Sequence, residues 1–298
     1  MSQFVAMVGM SMVVPFLPFY IRELGVINPD ELEHWSGIVF SGPFILSFLL
    51  TPVWGVLGDR FGKKKMVLRA IFGLAVSQFL IGLSANVWQL FAFRMVQGAI
   101  SGFIASSLAL VSASTPKERS GYSIGILQTS ISSGTVIGPF IGGFIADMTS
   151  YRTVFFITSA ICFFSGLLVI INVREPASGD SKKLYSVFQN YEYVFKRSNI
   201  LVVMLSITAI QISITVAQPV FALFVESMTK GTQYISTLTG AIFGTLGIFS
   251  VISSPWWGRR NDTKSFKKNI MIAISGAGLA YMVHTFITNP YMLFPVRA

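Results

Sequence analysis

Gly55-Val-Leu-Gly-Asp-Arg-Phe-Gly-Lys-Lys-Lys65 is a charged, glycine-broken stretch set between two apolar runs. Trp35 to Trp54 before it and Ala70 to Val87 after it carry no charged residue. Each run approaches the ~20 apolar residues that cross a bilayer as a helix. A connection this short predicts two antiparallel membrane helices side by side, and its Lys and Arg cluster places it on the cytoplasmic side. Within it, Gly55 is expected to let two helix ends approach closely and Gly62 to turn with φ > 0. Asp59 offers a negative charge to a helix N-terminus or an arginine.

The pattern Gly55-x-x-x-Asp59-Arg60-x-Gly62-Lys63-Lys64 resembles the signature of the major facilitator superfamily, in the loop between helices 2 and 3. The resemblance implies a gating role for Gly55, Asp59, Arg60, Gly62 and Lys63. Lys63 stands where the pattern prefers Arg. The plainer reading of the same residues is a solvated basic loop that only sets topology.

Composition excludes most other classes. Of 298 residues, 53% are hydrophobic and 11% charged, against about 25% charged in soluble domains. The net charge of +10 lies in short loops between apolar runs, not along one face, so nucleic acid is not the expected partner; a lipid bilayer is. A single cysteine, Cys162, and two distant histidines, His34 and His284, offer no disulfide framework and no metal site. H-E-x-x-H, G-x-S-x-G, Walker A and G-x-G-x-x-G are all absent, so neither an enzyme nor a bound cofactor is expected.

Apolar runs predict an all-α membrane protein with about nine spans, near 1–21, 35–54, 67–85, 88–111, 122–146, 153–172, 199–225, 234–257 and 269–287. Read from an inside start, the inner loops hold 17 of the 22 Lys and Arg, and the outer loops only Arg22, Arg152 and Lys230. So strong a bias in short loops fixes the expected orientation. The longest polar stretch follows the sixth span. It divides the chain into a six-helix bundle over 1–172, a cytoplasmic linker over 173–198 and an incomplete second bundle over 199–298, comprising spans 7–9 and the start of a tenth.

An internal repeat supports that division. Thr51-Pro-x-Trp-Gly-x-x-x-Asp59 recurs 203 residues later as Ser254-Pro-x-Trp-Gly258-x-x-x-Asp262. The same offset maps Lys64-Lys65 onto Lys267-Lys268, and Asn86, Leu90 and Arg94 onto Asn289, Leu293 and Arg297. Parallel repeats of this kind relate two transporter halves about an axis along the membrane normal. Gly258 and Asp262 are a remnant of the first loop, with Asn261 for Gly58 and Ser265 for Gly62. Carried to its end, the repeat predicts further helices beyond Ala298 and a first helix that starts before Met1. A fragment lacking them is expected to be inactive.

Gly134-x-x-x-Gly138-Pro139-x-x-Gly142-Gly143 marks the fifth span. Spacing by four makes a smooth face for close helix packing, and Pro139 removes a backbone donor and is expected to bend the helix. The whole pattern resembles the antiporter motif of the drug:proton antiporters within the superfamily. Gly240, Gly244 and Gly247 give the eighth span a similar stripe, and the two stripes are expected to face each other. Arg94-x-x-Gln97-Gly98 resembles the same group's helix-4 motif, which implies a part in proton coupling. A cation in a span costs at least ~2.5 kcal/mol, so Arg94 is expected to face the cavity and find a partner; snorkelling to the outer headgroups is the simpler alternative.

No carboxylate lies deep in an expected span, so the proton-carrying acid has no clear candidate; Asp147 and Glu226, at outer helix ends, are the nearest. Gln78, Gln97, Gln128, Gln211 and Gln218 are candidate cavity residues. The reading is a monomeric, multi-pass transporter of the bacterial inner membrane. It exports drugs or other amphipathic small molecules in exchange for protons by alternating access. The alternative is a same-fold proton symporter importing a sugar or organic anion; a receptor or membrane enzyme would not need the repeat.

Overall fold

The computed structural model of the chain describes residues 2–116, 119–173, 234–263 and 266–297, together with 201, 204, 205, 208, 209, 211, 212, 215, 216 and 218–229. The expected linker, 173–198, falls outside the described residues from 174 onward.

The first span is α1 (Ser2–Ser11), a 3-10 turn (Val14–Phe16) and α2 (Leu17–Glu23). Pro15 and Pro18 cause the interruption, because neither can donate to the helical ladder. The second span, α3, runs over Pro29–Phe61. It starts earlier than expected because Asn28 caps it, accepting from the Asp30 backbone N–H at 3.0 Å with Pro29 in the first turn. It continues through Pro43 and Pro52 to Phe61, where Gly62 (φ 103°) ends it. The third span, α4 (Lys63–Gly82), begins at the next residue. The predicted loop is therefore mostly helix, and its turn is one glycine.

The fourth span is not continuous. It divides into α5 (Val87–Ile100) and α6 (Phe103–Ser114), parted at Ser101 and at Gly102, which sits at φ 108°. The fifth, α7 (Ser120–Met148), passes unbroken through Pro139, and the sixth is α8 (Tyr151–Asn172). Beyond the undescribed stretch come α9 (Gln218–Thr229), α10 (Ile235–Thr263), α11 (Phe266–His284) and, after a 3-10 turn at Pro290–Met292, α12 (Leu293–Arg297). Among the described residues, six spans are long and apolar enough to cross a membrane, and three shorter apolar helices follow, at Val220–Thr229, Ile235–Phe249 and Met271–His284.

The repeat is visible in the backbone. α3 stops at Phe61 and α10 at Thr263; α4 restarts at Lys63 and α11 at Phe266. Asn86 caps α5 by accepting from Gln89 N, and Asn289 opens the matching turn by accepting from Tyr291 N. Leu90 and Leu293 are both fully buried.

In lipid there is little hydrophobic drive between helices, so close packing and hydrogen bonds must hold the bundle. α7 lies between α1 and α10, α4 packs on α8, and α3 on α5. Hydroxyls stitch these contacts to backbone carbonyls: Ser11 to Gly134 O at 2.8 Å, Thr158 to Gly9 O at 3.1 Å, Ser159 to Ala75 O at 2.7 Å and Tyr20 to Ile81 O at 2.9 Å. Each contributes about 0.6 kcal/mol in membranes.

Candidate functional site

At the C-terminal end of α3 the motif residues occupy different environments. Gly62 supplies the positive φ that the turn requires. The close approach belongs to Gly58, not Gly55: a Cβ at Gly58 would lie 3.2 Å from Met66 Cγ, whereas none would meet anything within 4 Å at Gly55. Because the helix continues past Gly55, that glycine instead opens the wall of a cleft. The cleft, about 110 Å³, is bounded by Thr51, Trp54, Asp59 and Lys63 on one side and by Gly102 at the break and Ala105 and Ser106 of α6 on the other. Asp59 and Arg60 are exposed, and Arg60 lies 5.4 Å from the Phe61 ring. Lys64 donates to the Ile170 carbonyl at 3.0 Å, placing a cation on the C-terminal end of α8. In the second copy of the motif Gly258 and Asp262 lie on the last turns of α10.

The interruption of the fourth span is satisfied from outside it. Trp54 Nε1 donates to Ala99 O at 2.8 Å, Arg69 Nη2 to Ser101 O at 3.1 Å, and the hydroxyls of Ser47 and Ser101 are 2.5 Å apart. Arg69 stacks over the Trp54 ring at 3.6 Å. Helices α3 and α4 thus supply the donors that the broken helix would otherwise lack.

Two helical turns from the break, Arg94 meets a carbonyl that proline has released. Pro43 has no N–H, so the Val39 carbonyl four residues earlier loses its helical donor. Arg94 Nε donates to that carbonyl at 3.3 Å, and Nη1 donates to Gln97 Oε1 at 2.8 Å. Gly98, the next motif residue, allows this approach: a Cβ there would run into the Pro43 carbonyl. Arg94, Gln97 and Gly98 form one contact between α5 and α3, and a backbone carbonyl serves where an acid was the obvious partner.

The glycines of α7 correct an expectation. Gly134, Gly138 and Gly142 do not face the stripe of α10. They face α1: their Cβ positions would meet Met7 and Val8, Ser11 Oγ and the Met12 carbonyl in turn. The contact with α10 comes from the next residue around the helix, Gly143, which lies against the Ser236 carbonyl. In return Gly240 lies on the Pro139 carbonyl, and Gly244 and Gly247 on Val136. A step of about 100° per residue separates the two faces.

The glutamines do not form one site. Gln97 is held by Arg94. Gln78 is 2% exposed, with its Oε1 lacking a hydrogen-bond partner among the described residues. Gln128 and Gln211 are exposed and Gln218, the first residue of α9, is half-buried.

Sequence reasoning missed the partners of two acids. Asp147, in the last turn of α7, accepts from Thr237 N at 2.7 Å, Thr237 Oγ1 at 2.6 Å and Ser236 N at 3.2 Å. Glu226 of α9 receives both terminal nitrogens of Arg22 at 2.6 Å. Both contacts join elements about 90 to 200 residues apart, which no local pattern announces. A signal for the Arg94 contact did exist: a proline four residues after Val39.

Residues 1–296 match the profile of the Major Facilitator Superfamily. The chain belongs to that superfamily. Membership makes it a multi-pass membrane protein and a secondary transporter, not an enzyme. Among curated superfamily relatives, it is 33% identical over 288 residues to a "Multidrug resistance protein MdtG" of Klebsiella pneumoniae, covering 96% of this chain and 70% of that protein. Its identity to the protein of the same name from Proteus mirabilis is 34% over 255 residues, covering 85% and 63%. Solved structures share the superfamily fold at low identity. The nucleoside transporter NupG (D323A mutant) superposes with a TM-score of 0.72 at 12% identity, over 99% of this chain and 77% of that one. A bacterial homologue of the lysosomal transporter Spinster, inward-facing and unoccupied, gives 0.69 at 13%, over 99% and 70%.

Proposed function

We propose that the protein exports drugs or other amphipathic small molecules from the bacterial cytoplasm across the inner membrane, in exchange for protons. The observation that carries this reading is α7. Its glycine motif seats one helix against backbone on two sides, with Gly142 on α1 and Gly143 on α10. A helix wedged in this way can slide on smooth glycine surfaces while its two partners belong to different halves, which is what alternating access requires. The multidrug-resistance relatives, at 33% and 34% identity, support the substrate class.

In this scheme the halves are 1–172 and 199–298, joined by 173–198, and the protein works as a monomer. Gly55, Asp59, Arg60, Gly62 and Lys63 gate the inner side, with Gly258 and Asp262 as their weakened counterpart. Arg94, held between α5 and α3, takes part in proton coupling. Protons are the driving ions.

The test is transport by the full chain in proteoliposomes. An imposed pH gradient should drive a lipophilic cation such as ethidium against its own gradient, and an uncoupler should abolish that movement. Uptake of a sugar or organic anion with the proton flow, and none of the amphiphile, would replace this reading by import.

A further inference from the structure

Among the described residues every Asp and Glu in a helix lies within its first or last five residues, so any coupling proton held by a described acid is held near a helix end. Two of those acids bridge the chain before residue 173 to the chain after residue 217, both on the side opposite the basic loops. We infer that Asp147 and Glu226 are the two latches of an outer lock that holds only while both are ionised, so that acid loosens the outer mouth. This rests on the alternating access proposed above; a proton taken up at a latch returns to the outside when the lock closes, so the latches are distinct from the coupling site.

Asp147 sits at the positive end of α10. Its two oxygens take the N–H groups of Ser236 and Thr237, which are first-turn donors without helical acceptors, and the Thr237 hydroxyl as well. Only the carboxylate can accept at both oxygens; protonation sets an O–H against an N–H and removes the charge that the helix terminus favours. Glu226 is gripped by both terminal nitrogens of Arg22, and protonation likewise removes one acceptor and the ion pair. The side chains of the pair are 40% and 31% exposed, so outside water and its protons reach them.

The surrounding charges complete the picture. Tyr151 of α8 lies near both acids, and its hydroxyl is 3.2 Å from Ser236 Oγ. Arg152 approaches Glu23 at 3.7 Å and donates to Ser84 O, both within the first half, so it does not compete for Asp147 or Glu226. The rest of the seam, Gly143 on Ser236 and Gly240 on Pro139, is backbone contact with no titrating group. Protons therefore act on the acids and leave the glycine surface intact. The sign follows: the locked state holds both acids as carboxylates, so falling pH on the outer side shifts the population towards the open state.

Spin labels at Ile27→Cys and Tyr234→Cys, in a Cys162→Ala background, report the separation of the outer ends by pulsed dipolar spectroscopy on the full chain in lipid nanodiscs. Ile27 and Tyr234 are both exposed, in the first and second half respectively. A short distance at pH 8 should give way to a longer one at pH 4, with the long population rising at least ~3-fold as carboxylates of ordinary acidity take up protons. Asp147→Asn with Glu226→Gln should show the long distance at both pH values. A double variant that keeps the wild-type pH response, or a wild type that shows none, overturns the lock. Should the double variant fail to fold, Glu226→Gln alone must still show a reduced response, and an undiminished one is equally fatal. Efflux measured on the same protein separates the two ideas. Proton-driven efflux without the distance response sinks the lock alone; the distance response without efflux supports the lock and sinks the exchange.

Discussion

The two faces of α7 are paved with the same residue and meet different partners. Gly134, Gly138 and Gly142 hold it to α1, inside the six-helix unit, where Ser11 adds a hydrogen bond to the Gly134 carbonyl. Gly143 turns to α10, across the proposed boundary between halves, where Asp147 caps the facing helix. Both seams are close backbone contacts; the difference lies in which one a transport cycle must disturb. The α1 seam is continuous with a buried core that includes Met12, Phe16 and Phe155. The α10 seam ends at half-buried Asp147, and the half-buried Arg22–Glu226 pair joins α2 to α9. A small-residue motif thus encodes close contact and leaves open whether the contact is permanent.

The largest effect should follow from breaking the permanent seam. Gly142→Leu drives a side chain into the Met12 carbonyl, and overpacking there is expected to cost about 3 kcal/mol. Folded yield, read by fluorescence-detected size-exclusion chromatography, should collapse. A wild-type yield would mean that α1 and α7 can separate freely.

Gly143→Leu should be gentler on folding and severe on transport. We expect folded yield near wild type and proton-driven efflux reduced more than ~10-fold, because the clash falls on the α7–α10 contact that the proposed cycle must loosen. Equal loss of yield at 142 and 143 would erase the distinction between the faces.

Arg94 provides a seam inside one half that carries charge. Arg94→Ala removes a cation from a span and should insert normally, yet lose efflux under an imposed pH gradient with protein level matched by immunoblot. Arg94→Lys keeps the charge and loses the planar fork that reaches both Val39 O and Gln97, so a fraction of the activity should remain. Unimpaired efflux in Arg94→Ala would reduce the residue to an anchor.

The smallest effect isolates the proline. Pro43→Ala returns an N–H to the helix, which then satisfies the Val39 carbonyl and competes with Arg94. Thermal stability should rise slightly while efflux falls about 3-fold. A change in neither would show that the released carbonyl is incidental to Arg94.

Much of the architecture was legible in advance. Run lengths located the first six spans, and the 203-residue repeat anticipated where α10 ends and α11 begins. Helix boundaries were less legible where capping and proline acted. Asn28 started α3 early, and Gly62 alone ended it, so a stretch read as loop became helix. The fourth span looked continuous because Ser101 and Gly102 are individually tolerable in a membrane helix, and only Trp54 and Arg69 of neighbouring helices make the break satisfied.

The sequence by itself determined that this protein is a bundle of membrane helices with a doubled pattern along its length and its basic residues gathered in short loops. Those properties follow from local chemistry: a bilayer accepts only helices whose backbone bonds are internal, and cationic loops do not cross it readily. Only the tertiary structure decided which neighbour each glycine meets, which carbonyl receives Arg94, and that Asp147 meets the start of α10 and Glu226 meets Arg22 of α2. Those contacts join distant parts of the chain, and a residue's spacing along a helix sets its direction without naming what lies there.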